Sequence, residues 1–539
     1  MSIDVTAVEA NDENASNAAE AALVEELSAR LAKAERERDE YRKLYLLLQE
    51  ENERLKRGLV GQKAERLPRN DGQLSLAILG LVLDENGQPP APPPAEPPRR
   101  VREHERRQPK RKPLPEEWPR VYIELVPPEV EREGLDAFDI VGEERRAVLE
   151  RRPASNVVVE IVRKKFVRKS DRGRDATSIL IADPLSLPIS KGLAGPGLLA
   201  WTIVQRWCEH QPLYRQEASF AREGLELARS TICGWHEAAA LAALPLIQAM
   251  REDAMRAPYL CTDATGVLVQ APEKCRHGHF WVLVAPEMHV LFEFSKRHDA
   301  DAVYEVLGDY KGYVVADAHT VYDHLYRDGQ ILEVGCWEHC RRYFHKALAS
   351  EPERAKEALA FISALFKIDA AIADQPRKKK EAVRNKKSAP IVRDFFAWCH
   401  HHKDLVLDES PMAKAIGYAI NQQKALERFL EDGRLPLSNN VSERELRRQA
   451  VGRKNWLFVG SEDGALANTV FVSLIASCQM HGIEPWAYLR DLFHLLPDWP
   501  RSRVLELAPA YWKQTLQNGE AQGRLDENPL RRALLAFAR

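Results

Sequence analysis

The sequence predicts a multidomain α/β protein, in which smaller modules precede a core of strands and helices. Two observations lead to this fold class. The chain has 539 residues, enough for three or more domains, and its 45% hydrophobic and 29% charged residues are typical of a globular protein. The period of its apolar residues also changes along the chain, from heptad to strand to helix and back to strand. The 78 basic and 80 acidic residues nearly cancel, so net charge indicates no class of partner.

The N-terminal part of the chain has the pattern of a coiled coil. Residues 1–18 are polar, and we expect them to be disordered. Within 19–60, the heptad positions follow one another in alternating steps of four and three from Leu27 to Leu59. Asn52 falls at an a position, where a buried Asn sets the register. A single surface helix packed on its own chain is the alternative; we favour self-association, which predicts a homodimer or a larger assembly.

Two segments of different composition follow. Residues 86–113 contain the run PPAPPPAEPP and then eight Lys or Arg among the fourteen residues 99–112, which predicts a stiff Pro-rich linker and a basic arm. In a DNA-binding protein such an arm would contact phosphates. Residues 114–175 have strand-like runs at 121–126 and 156–162, which predict a small β-rich module.

Residues 192–245 have the pattern of a helix-turn-helix. Leu213–Arg222 would form the first helix, Gly224 the turn with a positive φ, and Ser230 the N-cap of a second helix over 230–239. Three residues at the start of the second helix would then face DNA: Arg229, Ser230 and Thr231. Two ordinary helices joined by a short turn are the alternative.

From residue 256 the pattern changes to short strands. The runs YLCTDATGVLVQ, HFWVLVA and HVLFEF predict an antiparallel meander, followed by a helix-like stretch and the apolar runs GYVVAD and ILEVGC. This order predicts an RNase H-like α/β core in two parts, 256–349 and 435–497. Residues 350–430 predict an all-helical insertion, whose basic run RKKKEAVRNKK is expected either to contact DNA or to be a solvated linker. Residues 498–539 form a C-terminal tail in this scheme.

Acidic residues occur at three points of this core. Asp263 lies within the first strand, and Asp317 ends a buried strand, where an uncompensated carboxylate would be costly. Glu443 lies near the start of a helix, three residues after Asn440. Carboxylate oxygens bind Mg²⁺, so the three together predict a metal site. Each also has an ordinary explanation, since Asn440 and Glu443 fit a helix-capping pair and aspartates are common at strand ends.

Several motifs together carry a resemblance to a known family. They are KGLAGPGLLAW, PLYRQEASFAREG, TDATG, YKGYVVADAHTVY, CWEHCRRYF, NNVSERELR and GRKNWLFVGSEDGA, spread over about 192–497. With them the chain resembles the IS66 family of insertion-sequence transposases, bacterial enzymes of the DDE type. The resemblance implies that Asp263, Asp317 and Glu443 form the catalytic triad and bind two Mg²⁺ ions, or Mn²⁺ in their place.

The positions of the cysteines indicate whether zinc would bind at two places in the chain. Members of the family commonly carry a small zinc module with CxxC pairs before the helix-turn-helix, whereas residues 114–175 contain no cysteine, so we expect no structural zinc there. Cys336, His339, Cys340 and His345 have a spacing that suggests a zinc site. We reject that interpretation, because the second cysteine is not shared by the family.

Cations close to the predicted triad in sequence are expected to contact DNA phosphates. These residues are His339, Arg341, Arg342, Arg444, Arg447, Arg448, Arg453 and Lys454.

The function implied by the resemblance is cutting of DNA at each element end and joining of the freed 3′-OH to target DNA. The partners would be double-stranded DNA, a second copy of the chain and accessory proteins of the same element. One alternative is a non-catalytic, sequence-specific DNA-binding regulator, which leaves the carboxylates unexplained. Another is an RNase H-like nuclease without strand transfer, which does not account for the coiled coil.

The cellular location follows from signals that the sequence lacks. Its N-terminal residues are acidic, no apolar run reaches the length of a membrane span, and the eight cysteines are scattered. We therefore expect a cytoplasmic bacterial protein, associated with the nucleoid and without a membrane partner.

Overall fold

The structure of the protein is a computed structural model. It describes Ser28, Arg30, Leu31 and Lys33, all helical, and residues 114, 116, 118–152, 155–171, 178–189, 192–308, 310–327 and 329–537. The predicted disordered segment, linker and basic arm, and the rest of the predicted coiled coil, lie outside the described residues. The chain divides into two compact units, which are described separately. The smaller includes His339–Lys424, and the larger includes Pro109–Glu338 and Ala425–Arg539.

The structure contains two β-sheets and many helices, so its class is mixed α/β. The strands are β1 (Arg120–Leu125), β2 (Phe138–Arg152), β3 (Ser155–Arg168), β4 (Leu180–Ile181), β5 (Tyr259–Val269), β6 (Arg276–Ala285), β7 (His289–Ser295), β8 (Gly312–Val315) and β9 (Ile331–Val334). The helices are α1 (Pro128–Glu133), α2 (Pro196–Trp207), α3 (Leu213–Arg222), α4 (Arg229–Ala254), α5 (Ala300–Leu307), α6 (Trp337–Ala347), α7 (Pro352–Ala371), α8 (Arg377–Val383), α9 (Ala389–His402), α10 (Pro411–Asn421), α11 (Gln423–Glu427), α12 (Asn440–Trp456), α13 (Glu462–Met480), α14 (Pro485–Leu495), α15 (Trp512–Gln517), α16 (Glu520–Glu527) and α17 (Pro529–Phe537).

The larger unit begins with a β-rich module centred on β3. This strand pairs in parallel with β1 and antiparallel with β2 and β4. Val148, Val159 and Ile161 form the core between the strands, and Leu530 of α17 packs into the same cluster. The segment 498–539, predicted only as a tail, is therefore helical in its described part and supplies an apolar residue to this module.

A buried carboxylate joins the β-rich module to α2. Glu150 of β2 is 1% exposed, and its Oε1 accepts 2.7 Å hydrogen bonds from the backbone N–H groups of Arg151 and Leu198. Leu198 lies in the first turn of α2, where the helix dipole favours a negative group. A Cβ on Gly195 or Gly197 would collide with this carboxylate, which explains two glycines of the KGLAGPGLLAW motif.

Replacing this carboxylate should change how stability depends on pH. Burial raises the pKa of Glu150 from about 4.5 to about 7, against hydrogen bonds that lower it. The folded state therefore favours the protonated acid, and this contribution is present below about pH 4.5 and lost as the pH rises through about 7. A shift of this size corresponds to about 3 kcal/mol.

Glu150→Gln removes the ionisation and keeps one acceptor oxygen. Between about pH 4.5 and pH 7.5, its free energy of unfolding should rise relative to that of the native protein by about 3 kcal/mol, measured by denaturant unfolding of the full chain. Glu124→Gln, at an exposed ion pair with Lys164, is the matched control and should follow the native pH profile. A Glu150→Gln profile parallel to the native one would contradict this explanation.

The second sheet of the larger unit has the strand order β7–β6–β5–β8–β9. β5, β6 and β7 form an antiparallel meander, and β8 and β9 run parallel to β5. The predicted strands are thus all present. β8 is shorter than the predicted strand over 312–317: it ends at Val315, and Asp317 lies two residues beyond it.

Helices α12 and α13 cover one face of this sheet. Val267 of β5 and Phe280 of β6 pack with Ala465 of α13 in one buried cluster. Ser473 and Ser477 of α13 accept hydrogen bonds from backbone N–H groups of β7, at 2.8 and 3.0 Å. Because β7 is the edge of the sheet, these serines satisfy groups that an open edge would leave unpaired.

No single helix in the described part of the chain is long and apolar enough to cross a membrane. Taken together, Glu462–Met480 and Pro485–Asp498 reach that length and composition, but they are bent by 120°. Most residues of α13 from Ala465 to Cys478 are buried within the unit.

In the smaller unit the structure describes a series of helices over 350–424, within the segment 350–430 for which the sequence predicts helices. Its apolar interior includes Phe344 of α6, whose ring meets that of Phe395 of α9 edge-on at 5.8 Å. Tyr343 of α6 and Tyr418 of α10 stack at 4.6 Å. Aromatic contacts therefore join three helices of this unit.

Candidate active site

Asp263 lies on β5, and Asp317 lies two residues beyond the end of the neighbouring parallel strand β8. β5 and β8 pair with Cys261 opposite Val315, and each aspartate is the second residue after its member of that pair. Paired residues of neighbouring strands are about 4.8 Å apart, so the chain segments that carry the two aspartates start from neighbouring points of the sheet. Both aspartates are half-buried.

Tyr322 is near both aspartates. It lies in the 3-10 segment Thr320–Tyr326 and is 3% exposed. The pKa of Tyr322 is raised above its ordinary value mainly by burial, and the charges of Asp263 and Asp317 raise it further. Tyr322 was not among the residues predicted from the sequence, where its one available signal is its position five residues after Asp317.

The helix that carries Glu443 is anchored to the strand that carries Asp263. Asn439, directly before α12, is fully buried, and its Nδ2 donates a 2.8 Å hydrogen bond to the carbonyl of Thr262, the neighbour of Asp263. Its Oδ1 accepts a 2.5 Å hydrogen bond from Ser442 Oγ. The Glu443 N–H donates to the Asn439 carbonyl at 3.3 Å, so Glu443 stands one helical turn from this anchor.

The prediction that Asn440 caps this helix is wrong. Asn440 is exposed and is the first residue of α12, and Asn439 occupies the N-cap position. The Asn439 side chain makes no capping hydrogen bond, because it is used on β5. The backbone N–H of Asn439 donates to Cys336 Sγ at 3.2 Å, which gives this buried cysteine a structural role. These contacts fix the helix to the sheet.

The other end of α12 is fixed to the same strand. Nη1 of Arg453 donates to Thr265 Oγ1 at 2.8 Å and to the Gly266 carbonyl. Both ends of the helix thus contact β5, so the position of Glu443 along the strand is set by two contacts. Arg453 was predicted as a DNA contact, and the structure gives its guanidinium this anchoring role.

A cluster of rings lies beside Asp317. His298 stacks on the buried Trp281 at 5.1 Å with an interplanar angle of 13°, and its ring lies 5.1 Å from that of His319 and 4.7 Å from that of His279. Burial and then His319 lower the pKa of His298, while the charge of Asp317 opposes this. His298 of this cluster is therefore close to the second aspartate, and no motif in the sequence pointed to these rings.

The three carboxylates have the chemistry of a Mg²⁺ site, since all their donors are hard oxygens. Backbone register and the Asn439 anchor bring their segments together. Within the described ranges, however, no three His, Cys, Asp or Glu side chains are arranged so that they would hold a metal ion as they stand.

The cations predicted around Glu443 differ in their surroundings. Arg444, Arg447 and Lys454 are exposed on α12. Arg448 is half-buried, and its Nε lies 2.8 Å from the carboxylate of Glu445. DNA contact by these residues stays a prediction, and it is favoured most for the three exposed ones.

The predicted helix-turn-helix corresponds to α3 and α4. Gly224 in the turn has φ +82°, and Leu225 and Leu227 are buried beneath it. The second helix begins at Arg229 and extends to Ala254, so it is much longer than predicted. Its N-cap is Ala228, so the prediction of Ser230 as N-cap is wrong.

The three residues predicted to face DNA are exposed at the start of α4: Arg229, Ser230 and Thr231. The backbone N–H of Arg229 donates to Glu217 Oε1 of α3 at 3.0 Å, which satisfies one of the free N–H groups of the helix terminus. Exposure is the condition that DNA contact requires, and contact itself stays a prediction.

The remaining predicted contacts lie on α6, in the smaller unit. Arg342 is exposed, while His339 and Arg341 are half-buried. Nη2 of Arg342 lies 3.2 Å from Nε2 of His339, one turn away. Their role toward DNA stays a prediction.

A helix pair whose second helix begins at exposed residues is a form that DNA-binding proteins use, and neighbouring carboxylates can hold the metal ions of phosphoryl transfer. A family model described as "Transposase IS66 family" matches residues 191–467, just over half of the chain. The chain therefore belongs to the IS66 family of transposases. Models of the "IS66 C-terminal element" and of the "Transposase C of IS166 homeodomain" match residues 473–510 and 47–123.

Relatives of similar length occur in one bacterium. The chain is 29% identical over 490 residues to the uncharacterised protein y4hP of Sinorhizobium fredii, covering 86% of this chain and 88% of the relative. It is also 29% identical over 412 residues to the uncharacterised protein y4qI of the same organism, covering 72% and 75%. Both alignments span most of each chain.

Proposed function

We propose that this protein is a DDE transposase, which cuts DNA at the ends of its element and joins the 3′-OH ends to target DNA. Membership of the IS66 family supports the transposase role. The observation that carries the catalytic part is the anchor from Asn439 to Thr262, which holds the Glu443 helix beside Asp263. The pairing of Cys261 with Val315, two residues before Asp263 and Asp317, supports it.

The sheet supports an RNase H-like core in this proposal. An antiparallel meander followed by two strands parallel to its first member is the order that the sequence analysis expected of that fold. The helical segment between β9 and α12 would be an insertion in that core. Asp263 and Asp317 then come from the sheet, and Glu443 from a helix packed on it.

Asp263, Asp317 and Glu443 would hold two Mg²⁺ ions, or Mn²⁺. Bound there, the ions would lower the pKa of a water molecule and stabilise charge on the attacking and leaving oxygens. The carboxylates have to turn toward one another for this, because none of the described side chains forms a ready group of three ligands. Asn439 and Arg453 would hold α12 in place on β5 while the carboxylate side chains change their orientation.

The exposed cations of α12 and the first turn of α4 would position the DNA. Arg444, Arg447 and Lys454 lie on the helix of Glu443, where they would neutralise phosphates near the reacting bond. Arg229 and Thr231, at the exposed start of α4, would contact base edges in the major groove.

Metal dependence tests this function. The full chain, freed of metal with EDTA and mixed with labelled duplexes taken from the DNA on either side of the coding sequence, should yield a nick with a free 3′-OH only after Mg²⁺ is added. Joining to a plasmid should follow when a target is supplied. Cutting that proceeds equally in EDTA would exclude the metal mechanism, and cutting without joining would favour a nuclease.

A further inference from the structure

The smaller unit carries a basic surface that the proposed function has not used. Four lysines of the run RKKKEAVRNKK are exposed, and together they are called the lysine patch: Lys378, Lys379, Lys386 and Lys387. We infer that the lysine patch binds the phosphate backbone of duplex DNA, as a contact separate from the helix-turn-helix. This inference rests on the proposed function, because it assumes that duplex DNA is the partner.

The local backbone exposes Lys386 and Lys387 of the lysine patch to solvent. Between α8 and α9 the helix widens into a π-helical segment, Arg384–Ser388. Its first and last residues are buried, at 3% and 1% exposure, while Lys386 and Lys387 between them are exposed. The two buried side chains therefore fix which face of the segment is solvated.

An ion pair between the buried Arg384 and the half-buried Asp369 holds this segment in place. Nε and Nη2 of Arg384 lie 2.9 and 2.5 Å from Oδ1 of Asp369 on α7. A buried guanidinium needs such a partner, and breaking the pair would leave a charge unpaired. This contact fixes the segment that carries Lys386 and Lys387 to α7. Single π-helical turns inside α-helices are frequent at functional sites.

The charge of the patch is not cancelled locally. In the described part of the chain none of its four lysines pairs with a carboxylate, and the nearby Glu381 is paired with Arg377 at 2.8 Å. The basic run of β3 is the opposite case. There Arg163 lies 2.6 Å from Glu144, and Lys164 lies 2.7 Å from Glu124.

The difference in ion pairing between the lysine patch and the basic run of β3 indicates which kind of partner the patch would bind. A basic surface neutralised by its own carboxylates gains little from a polyanion, whereas exposed lysines without carboxylate partners release counterions when they meet phosphates. Lysines bind phosphates as point charges and carry no base information. The patch is therefore suited to holding DNA of any sequence, while sequence selection would belong to the helix-turn-helix.

The salt dependence of DNA binding tests the inference. The variant K378Q/K379Q/K386Q/K387Q is compared with K356Q/K367Q/K403Q/K414Q, which removes the same charge from exposed lysines elsewhere on the smaller unit. The probe is a 30-base-pair duplex of arbitrary sequence, bound by the full chain in EDTA so that cutting does not intervene. For the patch variant, the slope of log Kobs against log salt should become less steep by about 0.9 for each phosphate that a lysine no longer neutralises, hence by about 3 to 4.

The control variant should keep a slope close to that of the native protein. A patch variant whose slope equals that of the native protein, or of the control, overturns the inference, provided that circular dichroism shows both variants folded. The proposed function fails in a different way, through cutting that does not need metal. The two failures are therefore distinguishable.

Discussion

Asp263→Asn should lower the rate of DNA cutting by about 10³-fold or more, which corresponds to about 4 kcal/mol of barrier. The substitution keeps the shape of the side chain and removes the negative charge that would bind the metal. DNA binding in EDTA should be unchanged, because the residue has no role there. Single-turnover cutting of a labelled end duplex, with binding measured in parallel, tests both expectations.

Asp323→Asn is the matched control for this variant. Asp323 is an exposed aspartate in the 3-10 segment that also contains Tyr322, and its loss of charge should leave cutting within about twofold of the native rate. Equal rates for Asp263→Asn and the native protein would remove Asp263 from the site. An equal decrease in both variants would mean that general charge near β8 matters and that Asp263 is not a specific ligand.

Asn439→Ala should both destabilise the protein and slow cutting. It removes the buried side-chain donor to the Thr262 carbonyl, which costs about 1–3 kcal/mol of unfolding free energy, and leaves the Ser442 hydroxyl only the backbone carbonyl of residue 439 as its acceptor. It also frees the start of α12, and a displacement of about 1 Å at a reacting group can cost about 10²-fold in rate. Thermal unfolding and single-turnover cutting measure the two effects.

A second measurement separates positioning from general loss of structure. If Asn439 acts by placing Glu443, the Mg²⁺ concentration for half-maximal cutting should rise in Asn439→Ala, while DNA binding in EDTA is retained. Asn440→Ala is the matched control, because this neighbour is exposed and its side chain has no role in the anchor. A variant that loses stability with an unchanged Mg²⁺ requirement would show that Asn439 is only structural.

The parts of the fold that could be predicted are those set by neighbouring residues. The turn glycine Gly224 has the positive φ that the sequence suggested, and Leu225 and Leu227 are buried under the turn. The strands of the second sheet were recognised because each is a short apolar run between polar turns. In these cases the residues that decide the structure lie within a few positions of one another.

β2 was missed for the opposite reason. Its run EERRAVLERR has strong helix formers, and no local pattern marks it as a strand. It is extended because β3 pairs along its whole length, and because ion pairs such as Arg163 with Glu144 cross between the two strands. Tertiary context overrode local propensity here.

The sequence by itself indicated which residues bring charge to the candidate site, and which kind of element carries each: Asp263 in a strand, Asp317 at the end of one and Glu443 in a helix. Only the tertiary structure decided what holds them together. Asn439 and Asn440 are adjacent and identical in type, yet one is fully buried against a carbonyl 177 positions away and the other is exposed to solvent. A contact between residues so far apart leaves no periodic trace in either segment, because its geometry comes from the packing of a helix on a sheet.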